Sequence, residues 1–378
     1  MATDAEAAYY RHSLMATTKK LWPLEPHTVG KHLVLKNYLN AWFPVMGTWN
    51  GRILFIDGFA GPGEYEGGED GSPIIALDSF AEHTARKQIT AEIVFDFVEA
   101  DRQRAEHLKQ LIKNRYPTLP PNCIVDVATG RFDETMTGLL DALERQNVKL
   151  APAFVMIDPF GVSDTPMQVI RRILQNPRSE VYISFMYEAI NRFKATPEFE
   201  RHLDGLFGCE DWREGLKIHD GHERKTYVYN LYADQLRRNG AKYVVRFELY
   251  SGNRLIYAVF FGTQHVKGAN LLKEAIWKVA PFGDFAFHGT RSEQLTLSIL
   301  TPDFDPLRVA IRKQFKRRGW LPIGHIEEFV GSDRTDYHLG QLRKGALVPM
   351  EETGQLEVDE TTRRKKRTYP AGTRVRFL

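Results

Sequence analysis

The feature that most constrains the fold is an alternation of short apolar segments with helical patterns in the first half of the chain. Five segments rich in Ile, Val and Phe have the length of buried strands: residues 53–56, 93–98, 124–127, 154–157 and 181–186. Helical stretches begin between them, near residues 72, 101, 133 and 165. Strands that alternate with helices form βαβ units, whose parallel strands are covered on both faces. We therefore expect an α/β protein built on a parallel sheet.

The segments at both ends of this pattern complete the predicted core. After a helical pattern at residues 227–238, YVVRFELY and LIYAVFFG flank SGNR, which predicts an antiparallel hairpin. Before the first strand, GKHLVLKNYLNAWF predicts an N-terminal helix that begins at Thr28 and is closed by Pro44 and Gly47. Five parallel units followed by a hairpin resemble the Rossmann-like sheet of class I S-adenosylmethionine-dependent methyltransferases.

Composition is that of an ordinary globular protein. The chain has 378 residues, 43% hydrophobic and 26% charged, enough for two or three domains. It has no apolar run long enough to cross a bilayer, and MATDAEAAYYRHSL lacks the features of a signal peptide. We therefore expect a cytoplasmic protein that does not bind membranes. Only Cys123 and Cys209 are present, without a CxxC pair, so we predict neither a disulfide framework nor a metal site.

A glycine-rich turn follows the first predicted strand. Residues 52–68 read RILFIDGFAGPGEYEGG. The turn lacks the Lys of a phosphate-binding P-loop, and Glu66 stands where a dinucleotide fingerprint needs its third glycine. It resembles instead the DxFAGxG loop of nucleic-acid methyltransferases, in which glycines let the backbone approach the methionine part of the cofactor. The resemblance implies an S-adenosylmethionine site at Asp57, Gly58, Phe59, Ala60, Gly61 and Gly63, and the alternative is a turn that only reverses the chain.

Two later strand ends supply further candidate cofactor ligands. Glu99 ends the second strand, where methyltransferases keep an acid that accepts hydrogen bonds from both ribose hydroxyls. Asp101 is better suited to cap the helix that follows. After the third strand, Arg131 and Phe132 are predicted near the adenine edge, whereas Asp133 has the usual position of a helix cap.

The fourth strand ends in FVMIDPFGV, which offers candidate catalytic residues. It resembles the loop of amino-group methyltransferases, an acid or amide followed by two prolines and an aromatic residue, in which the first side chain and a proline carbonyl accept hydrogen bonds from the target amine. Here the residues are Asp158, Pro159 and Phe160, and the second proline is missing. The alternative is an Asp-Pro turn without function. Methylation at cytosine C5 is disfavoured, because neither cysteine follows a proline as the nucleophile of that reaction usually does.

The last part of the chain reads as a separate basic unit. Residues 301–378 carry 16 Lys and Arg against 11 Asp and Glu. Three helical patterns occur here, in DPLRVAIRKQFKRRGW, LPIGHIEEFV and TDYHLGQLRKGAL. They precede two predicted strands, VPMEETGQLEV and TRVRFL. The three helices and two strands together predict a winged helix. Nucleic acid would be bound by the third helix and the wing, through Arg334, Gln341, Arg343, Arg363, Arg364, Lys365, Lys366 and Arg367. The alternative is a winged helix used for protein contacts.

Several longer strings support one closer resemblance. The chain resembles the three-Cys-motif partner protein (TcmP) family from about Trp22 to Leu378. Five strings together carry this resemblance: FIDGFAGPGEYEGGEDGSPIIAL, FVEADRQR, MIDPFG, FGTQHVKGANLLKEAIWKV and TYPAGTRVRFL. The resemblance implies a bacterial or phage-borne protein and a genomic partner, a radical S-adenosylmethionine-like protein that carries the three cysteines. It also covers His27-Thr28 and Lys31-His32. Lys31 and His32 start the N-terminal helix, and they either close over the cofactor or cap and solubilise the helix.

These observations lead to one functional hypothesis and two alternatives. We expect a helical cap at residues 1–50, a methyltransferase-like domain at 51–295 and a winged helix at 301–378. The expected function is S-adenosylmethionine-dependent methylation of nucleic acid, at an exocyclic base nitrogen. The first alternative is a non-catalytic adaptor that binds nucleic acid and serves the partner protein. The second is methylation of a small molecule, which would leave the winged helix without a role.

Overall fold

The computed structural model describes residues 20–159, 161, 164–188, 190, 197–252, 254–281, 285–288 and 302–378. An eight-stranded sheet with the order β3-β2-β1-β4-β5-β7-β6-β8 forms its centre. The strands are β1 (Arg52–Asp57), β2 (Glu92–Glu99), β3 (Cys123–Thr129), β4 (Ala153–Ile157), β5 (Glu180–Phe185), β6 (Tyr243–Ser251), β7 (Arg254–Thr263) and β8 (Ala286–Phe287). The first five are parallel, and β7 is antiparallel to β5 and β6. The predicted α/β sheet with its terminal hairpin is confirmed, and β8 is an additional edge strand.

Eight helices accompany this sheet within the part of the chain that the structure describes. They are α1 (Pro26–Gly47), α2 (Ser72–Ala81), α3 (Arg102–Arg115), α4 (Phe132–Arg145), α5 (Met167–Leu174), α6 (Pro197–Phe207), α7 (Gly221–Arg238) and α8 (Val266–Val279). Two apolar clusters result, because successive strand residues point to opposite faces. In β1, Ile53 and Phe55 belong to one cluster, whereas Leu54 and Ile56 belong to the other. Among the helices described, none has the length and apolar character that a membrane span requires.

The N-terminal helix belongs to the core of the sheet. α1 begins two residues before the predicted start and continues through Pro44. Tyr38 and Trp42 are buried on it and contact Phe154 of β4 at ring distances of 5.5 and 6.0 Å. The Tyr38 hydroxyl also donates to Glu180 Oε2 at 2.7 Å. These contacts hold the middle of α1 against the amino-terminal ends of β4 and β5.

The C-terminal region consists of three helical segments and a second sheet. The helical segments are α9 (Asp305–Phe315), α10 (Ile323–Gly331) and α11, which runs from Leu339–Gln341 through the π-helical turn Leu342–Leu347 to Val348–Glu352. The strands β9 (Leu321–Pro322), β10 (Leu356–Val358) and β11 (Arg374–Phe377) form an antiparallel sheet of order β10-β11-β9. The sequence predicted two strands here, and the third is β9. Assignment of this unit as a winged helix stays a prediction.

The third helix is longer than the sequence predicted, because VPMEE belongs to it and not to a strand. Pro349 has no N–H to donate to the carbonyl of Gly345, and Arg308 Nη1 donates to that carbonyl instead, at 2.6 Å. The helix ends before Gly354, whose φ of +70° is the left-handed conformation usual after a helix C-terminus.

A buried lysine joins the C-terminal unit to the sheet domain. Lys273 of α8 is 1% exposed, and its ammonium group donates to the carbonyls of Val330, Ser332 and Thr335. Burial lowers the pKa of Lys273 to about 7. The apolar cluster that contains α8 also continues into α9, α10 and α11. Residues 302–378 therefore pack firmly on the core, while the predicted division into domains stays a prediction.

Candidate functional site

A cavity of about 530 Å³ opens at the carboxyl ends of β1 and β4. The chain turns from β1 toward β2 on one side and from β4 toward β5 on the other, so the cavity lies where the strand order reverses. Ligands of open α/β sheets bind at this position. The glycine-rich turn, the first turns of α1, the end of β4 and the β6–β7 hairpin contribute the walls, which include Trp22, Glu25, His27, Lys31, His32, Phe59, Ala60, Gly61, Gly63, Glu64, Tyr65, Asp158, Pro159, Arg254 and Tyr257.

The turn after β1 needs its glycines for conformation and for space. Gly61 and Gly63 have φ values of +63° and +87°, which side chains rarely adopt. A Cβ atom at Gly58 would lie 2.3 Å from the Phe132 ring. Phe59, Ala60, Gly61 and Gly63 line the cavity, as predicted for cofactor contacts, while Gly58 lies behind them.

Asp57 stabilises this turn through hydrogen bonds. Its carboxylate is buried and accepts hydrogen bonds from Ser72 Oγ at 2.6 Å and from the Phe59 N–H at 3.1 Å. Burial raises the pKa of Asp57 to about 6, against the opposing effect of these two hydrogen bonds. Asp57 thus shapes the loop that lines the cavity, and it does not line the cavity itself.

Glu99 also lies behind the loop, with both of its oxygens engaged by the protein. Oε2 accepts from the Gly61 N–H at 2.9 Å, and Oε1 accepts from the Asp101 N–H at 2.8 Å and from Arg104 Nε at 2.9 Å. The Trp22 ring lies 5.7 Å from the Arg104 guanidinium and covers this group. Glu99 does not line the cavity, so its predicted ribose contact stays a prediction. Asp101 caps α3 through the Arg104 N–H, as expected.

The two candidates after β3 lie away from the cavity. Phe132 is buried beneath Gly58 and contacts the Phe59 ring at a centroid distance of 5.6 Å. The half-exposed Arg131 side chain pairs with Asp133 and Asp164. Neither residue lines the cavity, so their predicted contact with the adenine edge stays a prediction.

The end of β4 carries an ion pair that connects it to α1. Lys31 Nζ donates to Asp158 Oδ2, across 127 residues of sequence. The Lys31 side chain is 4% exposed, whereas the Asp158 side chain is 25% exposed and faces the cavity. Burial alone would raise the pKa of Asp158, but the charge and the hydrogen bond of Lys31, with smaller contributions from Ser184 and His32, together lower it. Pro159 lines the cavity beside it, and Phe160 lies outside the described residues.

Aromatic and imidazole rings surround this ion pair. The Tyr257 ring lies 5.4 Å from Lys31 Nζ, and His27 contacts the same ring edge-on at 5.4 Å. Burial and the nearby ammonium lower the pKa of His27 to about 4 and that of His32 to about 3, so both are neutral at pH 7. The sequence indicated both histidines and Lys31 but not their convergence on Asp158. It gave no signal for Tyr257 as a wall of the site.

Five of the predicted nucleic-acid residues lie together on or beside the loop between β10 and β11. Arg364, Lys365 and Lys366 are exposed on the loop between β10 and β11. Arg343 is exposed too, and its Nε donates to the carbonyl of Arg367 at 3.0 Å, which joins α11 to this loop. Arg367 is also exposed, and it pairs with Glu352 at 2.9 Å. We call these five residues the basic loop surface.

Three other predicted nucleic-acid residues have partners within the protein. The Arg363 side chain is 1% exposed and pairs with Glu351 and Glu360, which corrects its predicted position at the tip of the wing. Gln341 Oε1 accepts from the His338 N–H and closes a capping box at the start of α11. Arg334 is exposed, and its Nη2 donates to Gln314 at 2.6 Å.

Neither a protein-family model nor the sequence of a curated protein matches this chain. Similar solved structures include Trm1 from Pyrococcus horikoshii with S-adenosyl-L-methionine, at 12% identity and a TM-score of 0.41, over 81% of this chain and 89% of that one. An O-methyltransferase from Bacillus cereus in complex with SAH is 12% identical with a TM-score of 0.37, over 70% of this chain and 92% of that one. At TM-scores below 0.5, these likenesses carry no inference about the function of this chain.

Proposed function

We propose that this chain is an S-adenosylmethionine-dependent methyltransferase that acts on nucleic acid, at an exocyclic amino nitrogen of a base. The observation that carries the proposal is the cavity at the switch point of the sheet, where the glycine-rich turn and Asp158 line the same space. A methyl donor and a target amine must meet in one site, because the transfer is an in-line displacement.

The cavity walls fit the chemistry of this cofactor. S-adenosylmethionine joins an aromatic base to a cationic sulfonium and an amino-acid end, and when bound it supplies an activated methyl group. Trp22, Phe59, Tyr65 and Tyr257 provide aromatic faces, which stack on bases and attract cations. The volume of about 530 Å³ lies within the usual range of small-molecule sites.

Asp158 is the residue that we assign to the target amine. Its carboxylate faces the cavity, and its lowered pKa keeps it ionised at neutral pH. An ionised carboxylate accepts an N–H hydrogen bond, orients the amine and favours the developing positive charge on the attacking nitrogen. Pro159 lines the cavity beside it, and we assign its carbonyl as the second acceptor.

Nucleic acid as the substrate is supported by the basic loop surface. Its exposed cations lie together beside α11, as expected of a surface that follows a phosphate backbone. The resemblance to the TcmP family adds a proposed protein partner, the radical S-adenosylmethionine-like protein with the three-cysteine motif. We propose that this partner acts in the same process on nucleic acid.

A second candidate function is a non-catalytic adaptor with a methyltransferase-like fold. The observation that favours it is the internal engagement of Glu99, since both of its oxygens accept hydrogen bonds from the protein and Trp22 covers its arginine partner. An adaptor would bind nucleic acid through the basic loop surface and bind no cofactor.

Two measurements on the full chain test the proposal. Calorimetry with S-adenosylhomocysteine is expected to show binding, and labelled S-adenosylmethionine is expected to transfer its methyl group to bulk nucleic acid. Binding of the cofactor without transfer to DNA or RNA would contradict the nucleic-acid substrate. Absence of any cofactor binding, together with salt-sensitive binding of nucleic acid, would establish the adaptor function instead.

A further inference from the structure

The turn between α9 and β9 carries three exposed cations that the proposed function does not use. Lys316, Arg317 and Arg318 follow α9 directly, and the Arg318 N–H closes the turn by donating to the carbonyl of Phe315 at 3.1 Å. Arg318 Cζ lies 5.7 Å from the centre of the Phe315 ring. Among the described residues, the side chains of Lys316 and Arg317 have neither a hydrogen bond nor an ion pair. We call these three residues the basic turn.

The backbone of Arg317 adopts a conformation that favours glycine. Its φ is +73°, and Lys316 before it has a φ of −53° and a ψ of 134°, so this is a type II turn, whose third position usually holds glycine. Arg178 and Arg367 also have positive φ, but their side chains bond to other residues of the protein. Within the part of the chain that the structure describes, no such bond offsets the strain at Arg317, as a contact with a ligand would.

The outer face of the C-terminal sheet connects this turn to the basic loop surface. In β11, Val375 and Phe377 are buried, so Arg374 and Arg376 point to the outer face. Trp320, two residues after the basic turn, is exposed beside them, and Arg376 Cζ lies 5.0 Å from the centre of its ring. Since Arg374 directly follows the loop between β10 and β11, basic side chains extend from one basic surface to the other.

The acidic side chains around this face do not cancel its charge. Those on and beside the wing that have a basic partner are Glu351, Glu352, Glu357 and Glu360. Asp359 accepts hydrogen bonds from Thr361, and Glu327 and Glu328 of α10 form no ion pair with any described residue. Residues 312–320 contain five Lys and Arg and no acid. The turn therefore keeps a positive potential that attracts a polyanion.

We propose that this face binds single-stranded nucleic acid, with the basic turn on the phosphates and Trp320 stacked on a base. The inference rests on the proposed function, in which nucleic acid is the substrate, and it names the form that is bound and a second contact surface. An exposed aromatic ring beside a line of arginines suits a single strand, because every unpaired base offers a face for stacking. A duplex can contact the cations of this face, but its bases are stacked on one another and do not reach the indole. A base amino nitrogen is also accessible to an enzyme only when the base is unpaired.

The first test removes the stacking residue. The probes are labelled oligothymidylate and oligouridylate of about 20 nucleotides, longer than the usual single-strand sites, and a DNA duplex of the same length. In fluorescence anisotropy on the full chain, Trp320→Ala is expected to weaken both single strands by about 5- to 100-fold and the duplex by less than about 3-fold. Trp320→Phe keeps a ring and is expected to retain most of the affinity. Trp49→Ala removes another exposed tryptophan and is the matched control, without effect on either form.

The second test uses the conformation of Arg317. Arg317→Gly relieves the positive φ, so it is not expected to lower the midpoint of urea unfolding. It is nevertheless expected to weaken single-strand binding and to reduce the slope of log affinity against log salt by about 0.7, the value for one phosphate contact of a single strand. A residue with a structural role alone would not show this combination. The control replaces Arg102 and Lys109, exposed cations of α3, with Ala, and the slope is expected to stay the same.

The outcomes separate this inference from the proposed function. If Trp320→Ala weakened the duplex as much as the single strands, or if Arg317→Gly left the salt slope unchanged, this face would not be a single-strand site. Binding of the duplex by the wild type without binding of either single strand would overturn the inference and leave nucleic acid as the proposed substrate. If the wild type bound neither single strands nor duplex, the inference and the proposed substrate would both be wrong. The ratio of the affinities for oligothymidylate and oligouridylate identifies DNA or RNA as the preferred strand.

Discussion

The cavity and the basic C-terminal region are two parts of the molecule in which the sequence predicted charged ligand contacts, and in each the fold bonds some of these residues internally. Glu99 pairs with Arg104, and Arg363 pairs with Glu351 and Glu360. Asp158 faces the cavity, and Lys366 faces solvent. The difference is the sequence distance to an opposite charge. Glu99 and Arg363 have one within five residues, whereas the partner of Asp158 is 127 residues away.

The comparison teaches that a nearby opposite charge predicts a structural role. A pair formed within one helical turn or one loop orders few extra residues, so it forms with the local structure. A charge without such a complement is either paired by tertiary contacts or available to a ligand. Among the predicted site residues, Asp158, Arg343, Lys366 and Arg367 have no opposite charge within five residues, whereas Arg364 and Lys365 are exposed although Glu360 lies four and five residues away.

The largest expected effect is on methyl transfer and concerns Asp158. Asp158→Asn is expected to lower the rate of transfer by about two to three orders of magnitude, because the amide is a weaker acceptor for the target amine. Cofactor affinity is not expected to fall. Single-turnover transfer from labelled S-adenosylmethionine measures this rate, with the exposed Asp126→Asn as the control. If the rate of methyl transfer were undiminished, Asp158 would have a structural role, as Glu99 does, and no role in the reaction.

The internally paired residues are expected to affect stability. Glu99→Ala and Arg363→Ala should each lower the free energy of unfolding by about 3 kcal/mol, because each leaves a buried or partly buried opposite charge without its partner. Urea unfolding measures this change.

The exposed Arg364→Ala is the control for this test and should change stability by less than about 0.5 kcal/mol. If Arg363→Ala left stability unchanged and weakened nucleic-acid binding, the comparison would break, because Arg363 would then be a ligand contact after all.

The smallest expected effect concerns salt dependence. Replacing Arg364, Lys365 and Lys366 with Ala should reduce the slope of log affinity against log salt, by about 0.9 for each duplex phosphate no longer neutralised. Fluorescence anisotropy with duplex DNA, single-stranded DNA and structured RNA measures the slope.

Point variants are preferable to deletion of residues 301–378, since deletion would leave the buried Lys273 without its carbonyl partners. Replacing the exposed Arg86 and Lys87 of the core with Ala is the control and should leave the slope unchanged. An unchanged slope in the triple variant would contradict the role of the loop.

The pattern of residues close together in the sequence was sufficient to predict most of the fold. The five parallel strands, the hairpin and the Asp101 cap follow from apolar periodicity and capping chemistry, which act over a few residues. The strands β8 and β9 were not predicted, because two residues carry no periodic signal. The extension of α11 was not predicted either, since the carbonyl that Pro349 cannot satisfy is bonded by Arg308 from another helix.

The sequence by itself determined the sheet, the glycine-rich turn and the acids at the strand ends, because each depends on neighbours along the chain. Only the tertiary structure decided which acid faces the cavity. Glu99 is turned inward by the N–H groups of Gly61 and Asp101, and Asp158 faces the cavity yet is held by Lys31 of a distant helix. The Lys31 contact arises from the packing of α1 on the sheet, where burial makes an opposite charge necessary.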